Sequence, residues 1–191
     1  MSAYISYSPK PDGSKSNDKA AGGATGAPVD GAGYDIVLMH DGLADGLNVF
    51  AGYSDISQAE GADSDGDRTS YGIGATYAVG SVTLGYQFTR DNEGHHNSNT
   101  AYYENTAYAI SFNINDDLSI SYGEMESTKH TTNATAANKT TMEIDSIQLA
   151  YSMGGMSIKI AESSVDDATY AADGSTGSDF DATTVALSLA F

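Results

Sequence analysis

The sequence contains no cysteine, so a disulfide framework, a thiolate metal site and a thiol nucleophile are all excluded. Basic residues are also scarce: 8 Lys and Arg stand against 26 Asp and Glu, which gives a formal net charge of -18 at pH 7. A chain this acidic lacks the basic face that the nucleic-acid backbone requires, so we expect no nucleic-acid partner. No run of 18 apolar residues is present, which excludes a transmembrane helix. We find no nucleophile elbow, phosphate loop or zinc motif, and we expect the chain not to be an enzyme.

Proline is confined to one part of the chain. The three prolines, Pro9, Pro11 and Pro28, all lie in a polar segment near the start. Because proline cannot donate a hydrogen bond to a neighbouring strand, this confinement leaves the rest of the chain free to form a sheet. The 191 residues are enough for one domain, and we expect a single domain over residues 1–191.

Alternation of apolar residues with small or polar ones is the main pattern that is present. In residues 183–191, one face of an extended strand would carry Val185, Leu187, Leu189 and Phe191, and the other would carry Thr, Ala and Ser. Nine earlier segments alternate in the same way. The sequence therefore predicts an all-β protein with ten strands.

The connections between these segments alternate between long and short. Short turns containing Gly, Asn or Asp are predicted at residues 41–46, 80–81, 115–117 and 154–155. Long polar loops are predicted at residues 9–30, 55–69, 91–100, 127–140 and 162–181. Each strand has room for about 9 to 11 residues, the length at which a tilted strand crosses a bilayer, whereas strands of soluble proteins are typically about 5 or 6 residues long. This combination predicts an antiparallel up-and-down transmembrane β-barrel.

The final segment resembles the C-terminal strand signal of Gram-negative outer-membrane proteins, in which alternate apolar residues end in Phe. Together with the hairpins, it makes the chain similar to the C-terminal portion of a general outer-membrane porin of the α-proteobacterial type. Those porins have 16 strands, so the resemblance implies that this chain is a fragment of a larger barrel. Met1 is followed by no export signal, and we expect that an N-terminal part is missing or that the chain is processed.

The resemblance also implies a function and partners. A porin lets small hydrophilic solutes and ions diffuse passively across the outer membrane, as a homotrimer and without a cofactor. It contacts outer-membrane lipid and lipopolysaccharide. The barrel-assembly machinery would read Val185, Leu187, Leu189 and Phe191 as the assembly signal. The inward-folded third loop that narrows the pore of those porins would lie in the missing part.

The face opposite the apolar one is small and hydrophilic, and it supplies the candidate pore lining. Thr83, Gln87, Gln148 and Lys159 lie on it, and Asp35 is a further candidate whose facing the alternation leaves open. Because Gly, Ala and Ser cannot fill a narrow barrel, the lumen would be wide and wet, or another segment would pack inside it. Lys159 would add positive charge to the lumen, unless it is simply a solvated wall residue.

The acidic residues are concentrated in the long loops, where they either keep the loops solvated or bind Ca2+. Asp63, Asp65 and Asp67 resemble a calcium loop, but its Gly is at the fourth position rather than the sixth and no Glu is at the twelfth. We therefore expect no metal site, and these three residues remain the candidates for one. The four histidines show no metal-binding spacing.

Two other functions remain open. A ten-stranded outer-membrane barrel could act through its extracellular loops as an adhesin or a protease, using its Asp-rich rim and His95, His96 or His130. A secreted, soluble β-protein could bind calcium through its acidic loops. Recovery in buffer without detergent would identify the soluble protein, and conductance in planar bilayers would separate the channel from the loop-acting barrel.

Overall fold

The computed structural model describes residues 1–9, 30–58, 67–94, 100–133, 136–171 and 177–189. These residues form ten β-strands and a short 3-10 helix at Ala168–Tyr170. The strands are β1 Ser2–Ser8, β2 Asp30–His40, β3 Leu47–Gln58, β4 Arg68–Val79, β5 Val82–Asn92, β6 Thr100–Asn113, β7 Leu118–Asn133, β8 Ala136–Met153, β9 Met156–Asp166 and β10 Phe180–Leu189.

The strands form one sheet in the order in which they occur in the chain. Every neighbouring pair is antiparallel. The prediction of an all-β, up-and-down antiparallel architecture is therefore confirmed. Within the described residues, β1 pairs with β2 alone and β10 with β9 alone, so the sheet is open and each outer strand has an unpaired edge.

The predicted short turns lie at one end of the sheet and depend on specific residues. Gly46 has a φ of 75°, and a Cβ there would lie 2.1 Å from the carbonyl oxygen of Ala78, so glycine is required. In the turn between β6 and β7, Asn115 Oδ1 accepts hydrogen bonds from the backbone N–H groups of Asp117 and Leu118, both at 2.9 Å. An Asn side chain that caps its own turn in this way fixes the hairpin.

The predicted long loop at residues 127–140 is wrong. β7 and β8 continue to pair through this region until Asn133 lies opposite Ala136. The region is rich in Thr, whose branched side chain suits a pleated sheet, but its residues are polar on both faces and show no apolar alternation. β7 and β8 are 16 and 18 residues long, so the uniform length of about 9 to 11 residues is also wrong.

The cross-strand register divides the sheet into two faces. One, which we call the belt face, carries a row of directly paired apolar side chains across six strands: Val82, Phe112, Ile120, Leu149, Ile160 and Val185. The other, the small-residue face, carries the neighbouring row: Thr83, Ser111, Ser121, Gln148, Ala161 and Thr184. One face is therefore hydrocarbon and the other is small and mostly polar along the same strands.

No second layer of protein covers the belt face in the part of the chain that the structure describes. None of the hydrophobic side chains there is buried, and Ile110 and Leu187 expose 45% and 61% of their surface. A domain that folds in water normally packs a second layer against such a face. Across the described ranges, no helix is long and apolar enough to cross a membrane.

The belt face changes from apolar to charged toward the end of the sheet away from the short turns, along a diagonal. The first charged residue on the belt face of β3 is Asp55. Through the pairing with β4, Asp55 lies in the same cross-strand row as Asn92 on β5, and Asn92 is ten residues after Val82. The first charged residue on the belt face of β9 is Glu162. It is only two residues after Ile160, which lies in the same cross-strand row as Val82. The boundary therefore shifts by eight residues over the six steps from β3 to β9.

The short-turn end of the sheet is staggered in the same direction. β3 begins at Leu47, which is level with Leu84, two residues beyond Val82. β9 begins at Met156, four residues before Ile160. This end therefore shifts by six residues over the same six steps, so the uncharged band runs obliquely across the sheet with a nearly constant height.

Candidate functional site: the small-residue face

All five residues predicted to line a pore lie on the small-residue face. Thr83 is opposite Ser111, Gln87 opposite Ala107, Gln148 opposite Ser121, Lys159 opposite Ala150, and Asp35 opposite Ser54. The facing of Asp35, which the sequence leaves open, follows from the register through β3, β4 and β5. The five do not form a cluster, because they are distributed over β2, β5, β8 and β9.

Grooves form on this face where the side chains are small. One groove of about 380 Å³ is lined by residues that include Phe50, Gln87, Ala107, Gly123 and Ile144. Gly and Ala at several of these positions leave space beside the sheet that longer side chains would fill. The face can therefore accommodate water and small solutes along the strands.

Phe50 is a large side chain on this otherwise open face, and a glycine makes room for it. A Cβ on Gly74, on the adjacent strand β4, would lie 2.3 Å from the Cζ atom of the Phe50 ring and 2.9 Å from the carbonyl oxygen of Tyr86. Gly74 is therefore fixed by the close approach of a ring. Gly85 shows no such constraint, since the nearest atom to its Cβ position is a backbone oxygen 4.0 Å away.

A polar row with both signs of charge crosses the small-residue face near its loop end. Its directly paired members on β2 to β7 are Asp35, Ser54, Ser70, Asp91, Tyr103 and Lys129. Arg68 Nη2 donates to Asp91 Oδ2 at 2.9 Å, and Ser70 Oγ donates to the other carboxylate oxygen. The Asp35 carboxylate accepts a hydrogen bond from the hydroxyl of Ser6. The row therefore places acidic groups, a lysine and hydroxyl groups side by side on this face.

A chain of hydrogen bonds lies next to this row. The hydroxyl oxygen of Tyr170 is 2.8 Å from Ser127 Oγ, which donates to Asn105 Oδ1. Asn105 Nδ2 in turn donates to Thr89 Oγ1 at 3.0 Å. Because the Ser127 hydrogen is directed at Asn105, the Tyr170 hydroxyl acts as the donor to Ser127. Thr89, Asn105 and Ser127 are direct neighbours on β5, β6 and β7, so Tyr170 completes a network across three strands.

This network is not predicted by the amino-acid sequence. Tyr170 lies in the predicted loop 162–181, and Ser127 begins the loop 127–140 that proved to be strand. Neither residue belongs to an apolar alternation. The sequence signal that could have placed Ser127 on a strand is the Thr-rich composition of the segment, because Thr favours strands.

The chain turns tightly directly after β9, at the residues around Tyr170. Asp167, Thr169 and Tyr170 have φ angles of 54°, 61° and 58°. Asp179 Oδ1 accepts hydrogen bonds from the Asp167 N–H at 3.0 Å and from the Ser178 hydroxyl at 2.9 Å. These two bonds, the one from Asp167 first, hold the pKa of Asp179 below its usual value of 3.8.

Hydroxyl groups meet carboxylates where the belt face becomes charged. The pairs are Tyr53 with Asp55 at 3.0 Å, Tyr108 with Glu124, Tyr122 with Asp145, and Thr183 with Glu162 at 2.6 Å. In each pair the hydroxyl donates and the carboxylate accepts. Tyrosine presents an apolar ring to one side and a polar hydroxyl to the other, so these pairs suit a boundary between hydrocarbon and water.

His130 also lies on the belt face, in a cluster with Tyr102, Glu104 and Arg90. Its ring stacks on Tyr102 with 4.1 Å between centroids, and its Nε2 is 3.1 Å from Glu104 Oε2. Arg90 Cζ lies 3.6 Å from the centre of the Tyr102 ring, and Arg90 Nη1 is 3.5 Å from Glu104 Oε1. His130 therefore does not face the grooves. The other loop histidines of the protease hypothesis, His95 and His96, lie outside the described residues.

The candidate calcium residues are mostly outside the described part of the chain. Asp63 and Asp65 are not described, and Asp67 is exposed immediately before β4. Among the residues that are described, no group of three or more His, Asp or Glu side chains is placed to hold a metal ion.

The predicted assembly residues lie together on the edge strand. Val185, Leu187 and Leu189 are exposed on the belt face of β10, opposite Ile160, Ile158 and Met156 of β9. Phe191 lies outside the described residues. The three described members of the signal thus continue the apolar band to the last strand.

The sequence was also compared with protein families and with curated proteins. No family model matches it, and no curated protein matches it.

Proposed function

We propose that the chain forms part of the wall of an outer-membrane porin, a passive diffusion channel for small hydrophilic solutes and ions. In this proposal the belt face contacts lipid and the small-residue face lines the water-filled lumen. The protein does no catalysis. The observation that carries the proposal is the oblique, uncovered apolar band of the belt face.

The slope of the band supports strands that are tilted in a bilayer. Neighbouring strands are about 4.8 Å apart and rise about 3.4 Å per residue, so a tilt of roughly 35–45° shifts the membrane plane by about 1 to 1.4 residues per strand. From β3 to β9 the charged boundary shifts by eight residues over six steps and the short-turn end by six. Both shifts fall within the range expected for a transmembrane barrel.

The height of the band is also informative. Six residues separate Met156 from Glu162 on β9, and eight separate Leu47 from Asp55 on β3. With the same rise and tilt, this corresponds to a height of about 14–22 Å, slightly less than the roughly 25 Å apolar band of outer-membrane barrels. The tyrosine–carboxylate pairs at its upper boundary would therefore lie at the interface, where aromatic girdles occur.

The small-residue face supports a lumen that conducts water. It carries Ser, Thr, Gln and both signs of charge, and its grooves are open. Side chains of this size do not fill a barrel interior, as they must in small closed barrels. Solutes would pass along this face without a dedicated binding site.

Closure, assembly and location are part of the same proposal. Unpaired strand edges are unfavourable in lipid, so β1 and β10 require partner strands, which further strands of a 16-stranded barrel would supply. The barrel-assembly machinery would recognise the β10 residues Val185, Leu187 and Leu189. The mature protein would be a homotrimer in contact with outer-membrane lipid and lipopolysaccharide.

Two measurements on the protein test the proposal together. Together with the strands that close the barrel, the chain should be extracted from cell envelopes only with detergent, and after insertion into a planar bilayer it should produce stepwise ohmic conductance. The variant Ile110→Lys places a charge within the belt and should destabilise the inserted protein by about 2–4 kcal/mol. Ser111→Lys, one residue along on the small-residue face, is the matched control and should insert normally.

The outcomes separate the alternatives. Recovery of the folded protein in buffer without detergent would show a soluble β-protein. Insertion into the membrane without conductance would favour a barrel that acts through its loops. Equal tolerance of Ile110→Lys and Ser111→Lys would remove the assignment of the belt face to lipid.

A further inference from the structure

The residues that follow β9, up to Tyr170, lead sideways over the small-residue face. Tyr170 follows β9, yet its hydroxyl contacts Ser127 on β7 and its ring lies 5.4 Å from that of Tyr103 on β6. The 3-10 helix that carries Tyr170 lies against β8. The Tyr170 side chain extends from there over β7 and β6, which are two and three strands away from β9. Tyr103 lies on the small-residue face, opposite Asp91 and Lys129.

Ser127 shows what this contact does. Only 2% of its surface is exposed, although it lies on an open face. Ser121, which lies six residues earlier on β7 and on the same face, is only partly buried. The Tyr170 hydroxyl lies 2.8 Å from Ser127 Oγ, and we attribute the lower exposure of Ser127 to this contact.

The turn is held in this position from both ends. Three residues that are not glycine adopt left-handed φ angles at Asp167, Thr169 and Tyr170, which persists only when the surroundings enforce it. Ala168 N donates to the carbonyl oxygen of Ser178 at 3.0 Å, and Asp179 accepts from Asp167. The contacts of Tyr170 with Ser127 and Tyr103 fix the other side.

We propose that Tyr170 narrows the channel, as an inward-facing constriction supplied by the short 3-10 helix after β9. This inference rests on the proposed porin function, because the small-residue face must be the lumen. The constriction would be neutral, formed by the Tyr170 and Tyr103 rings and by the hydroxyl and amide groups of Ser127, Asn105 and Thr89. Asp91 and Lys129 flank Tyr103 with opposite charges that cancel, so the constriction would limit solutes mainly by size.

Single-channel recording in planar bilayers tests the narrowing. Tyr170→Ala should raise the conductance by about 1.5-fold or more and allow larger uncharged sugars to enter, because it opens the narrowest part of the pore. Tyr170→Phe keeps the ring and should leave the conductance close to that of the unaltered protein. Tyr102→Ala removes a tyrosine from the belt face at a similar level and is the matched control, with no expected change.

Thiol labelling tests the position of Tyr170 without reference to conductance. Because the chain has no cysteine, Ser127→Cys introduces a single thiol. A water-soluble thiol reagent should modify it at least about tenfold more slowly than the thiol of Ser121→Cys, since buried thiols react slowly. Adding Tyr170→Ala should bring the Ser127→Cys rate close to that of Ser121→Cys.

The two experiments distinguish the possible failures. If Tyr170→Ala does not change the Ser127→Cys rate, Tyr170 does not cover the face and this inference is wrong, whatever the channel does. If labelling behaves as expected but the conductance of Tyr170→Ala equals that of the unaltered protein, the side chain is in place but does not narrow the pore. If the unaltered protein inserts and never conducts, the porin function itself is wrong.

Discussion

The hydroxyl of Tyr108 on β6 donates a hydrogen bond to the carboxylate of Glu124, its direct neighbour on β7. Toward the short turns, the belt face next to this pair carries Ile110 and the ring of Tyr122. Toward the loop end, the next belt-face residue on β7 is Glu126. The pair therefore marks one point of an oblique boundary that runs from β3 to β9. In the proposed porin, a membrane plane that crosses tilted strands would give the boundary this position and slope.

The charge of Lys159 provides a test of the lumen assignment. Lys159→Glu replaces a positive group on the small-residue face by a negative one, so the channel should become more selective for cations. In a salt gradient, the reversal potential should move toward the cation equilibrium potential by about 5 mV or more, because a fixed charge beside the path of an ion acts on its local concentration. Lys139→Glu makes the same charge change on the belt face and should have little effect. Equal reversal potentials for Lys159→Glu and the unaltered protein would remove Lys159 from the lumen.

The contact between Phe50 and Gly74 predicts a localised packing defect. Gly74→Ala should lower the free energy of unfolding by about 1–3 kcal/mol, because the new methyl group overlaps the Phe50 ring. Phe50→Ala in the same chain should recover part of this loss, and the backbone oxygen of Tyr86 limits the recovery. Gly85→Ala has free space at its Cβ position and serves as the control, with no loss of stability. Denaturant unfolding followed by circular dichroism would measure all four proteins, and equal midpoints for Gly74→Ala and Gly85→Ala would contradict the described packing.

Asp179 gives the turn before β10 a defined pH dependence. The pKa of Asp179 is lowered in the folded protein by its hydrogen bonds with Asp167 and Ser178. The ionised carboxylate therefore stabilises the turn fully above the usual value of 3.8, and this contribution is lost as the pH falls through the lower folded value. Protection of the Asp167 amide against hydrogen exchange should be constant from neutral pH down to about 4 and should decrease below it.

Two variants separate the charge from the hydrogen bond at this position. Asp179→Asn keeps an oxygen acceptor and should protect the Asp167 amide at every pH. Asp179→Ala removes the acceptor and should lose the protection even at neutral pH. Protection that survives in Asp179→Ala would show that the carboxylate does not hold the turn.

Much of the architecture could be predicted because alternation is a local property of the sequence. Val82, Leu84 and Tyr86 alternate with Thr83 and Gly85 whatever their partners are, so the strand and its two faces follow directly. The ten strands, their order and the short turns are of this kind. The facing of Asp35 required the register, since Val37 and Met39 share its parity and obscure the pattern.

The rest could not be predicted because it depends on contacts between distant parts of the chain. The extension of β7 and β8 comes from pairing of polar segments, such as Lys129 with Thr140, that carry no apolar period. The contact between Tyr170 and Ser127 joins residues 43 positions apart. It also depends on left-handed φ angles at Thr169 and Tyr170, which the local sequence does not favour.

A cysteine scan along β6 tests the central claim most directly. Single cysteines at residues 107 to 112 of the otherwise cysteine-free chain would be probed in the inserted protein with a water-soluble thiol reagent, and with a quencher dissolved in the lipid after labelling. We expect water-accessible thiols at Ala107, Ala109 and Ser111 and lipid-exposed labels at Tyr108, Ile110 and Phe112, so that the two profiles alternate with a period of two. A uniform profile, or reaction with the water-soluble reagent at Tyr108, Ile110 and Phe112, would show that the belt face does not contact lipid.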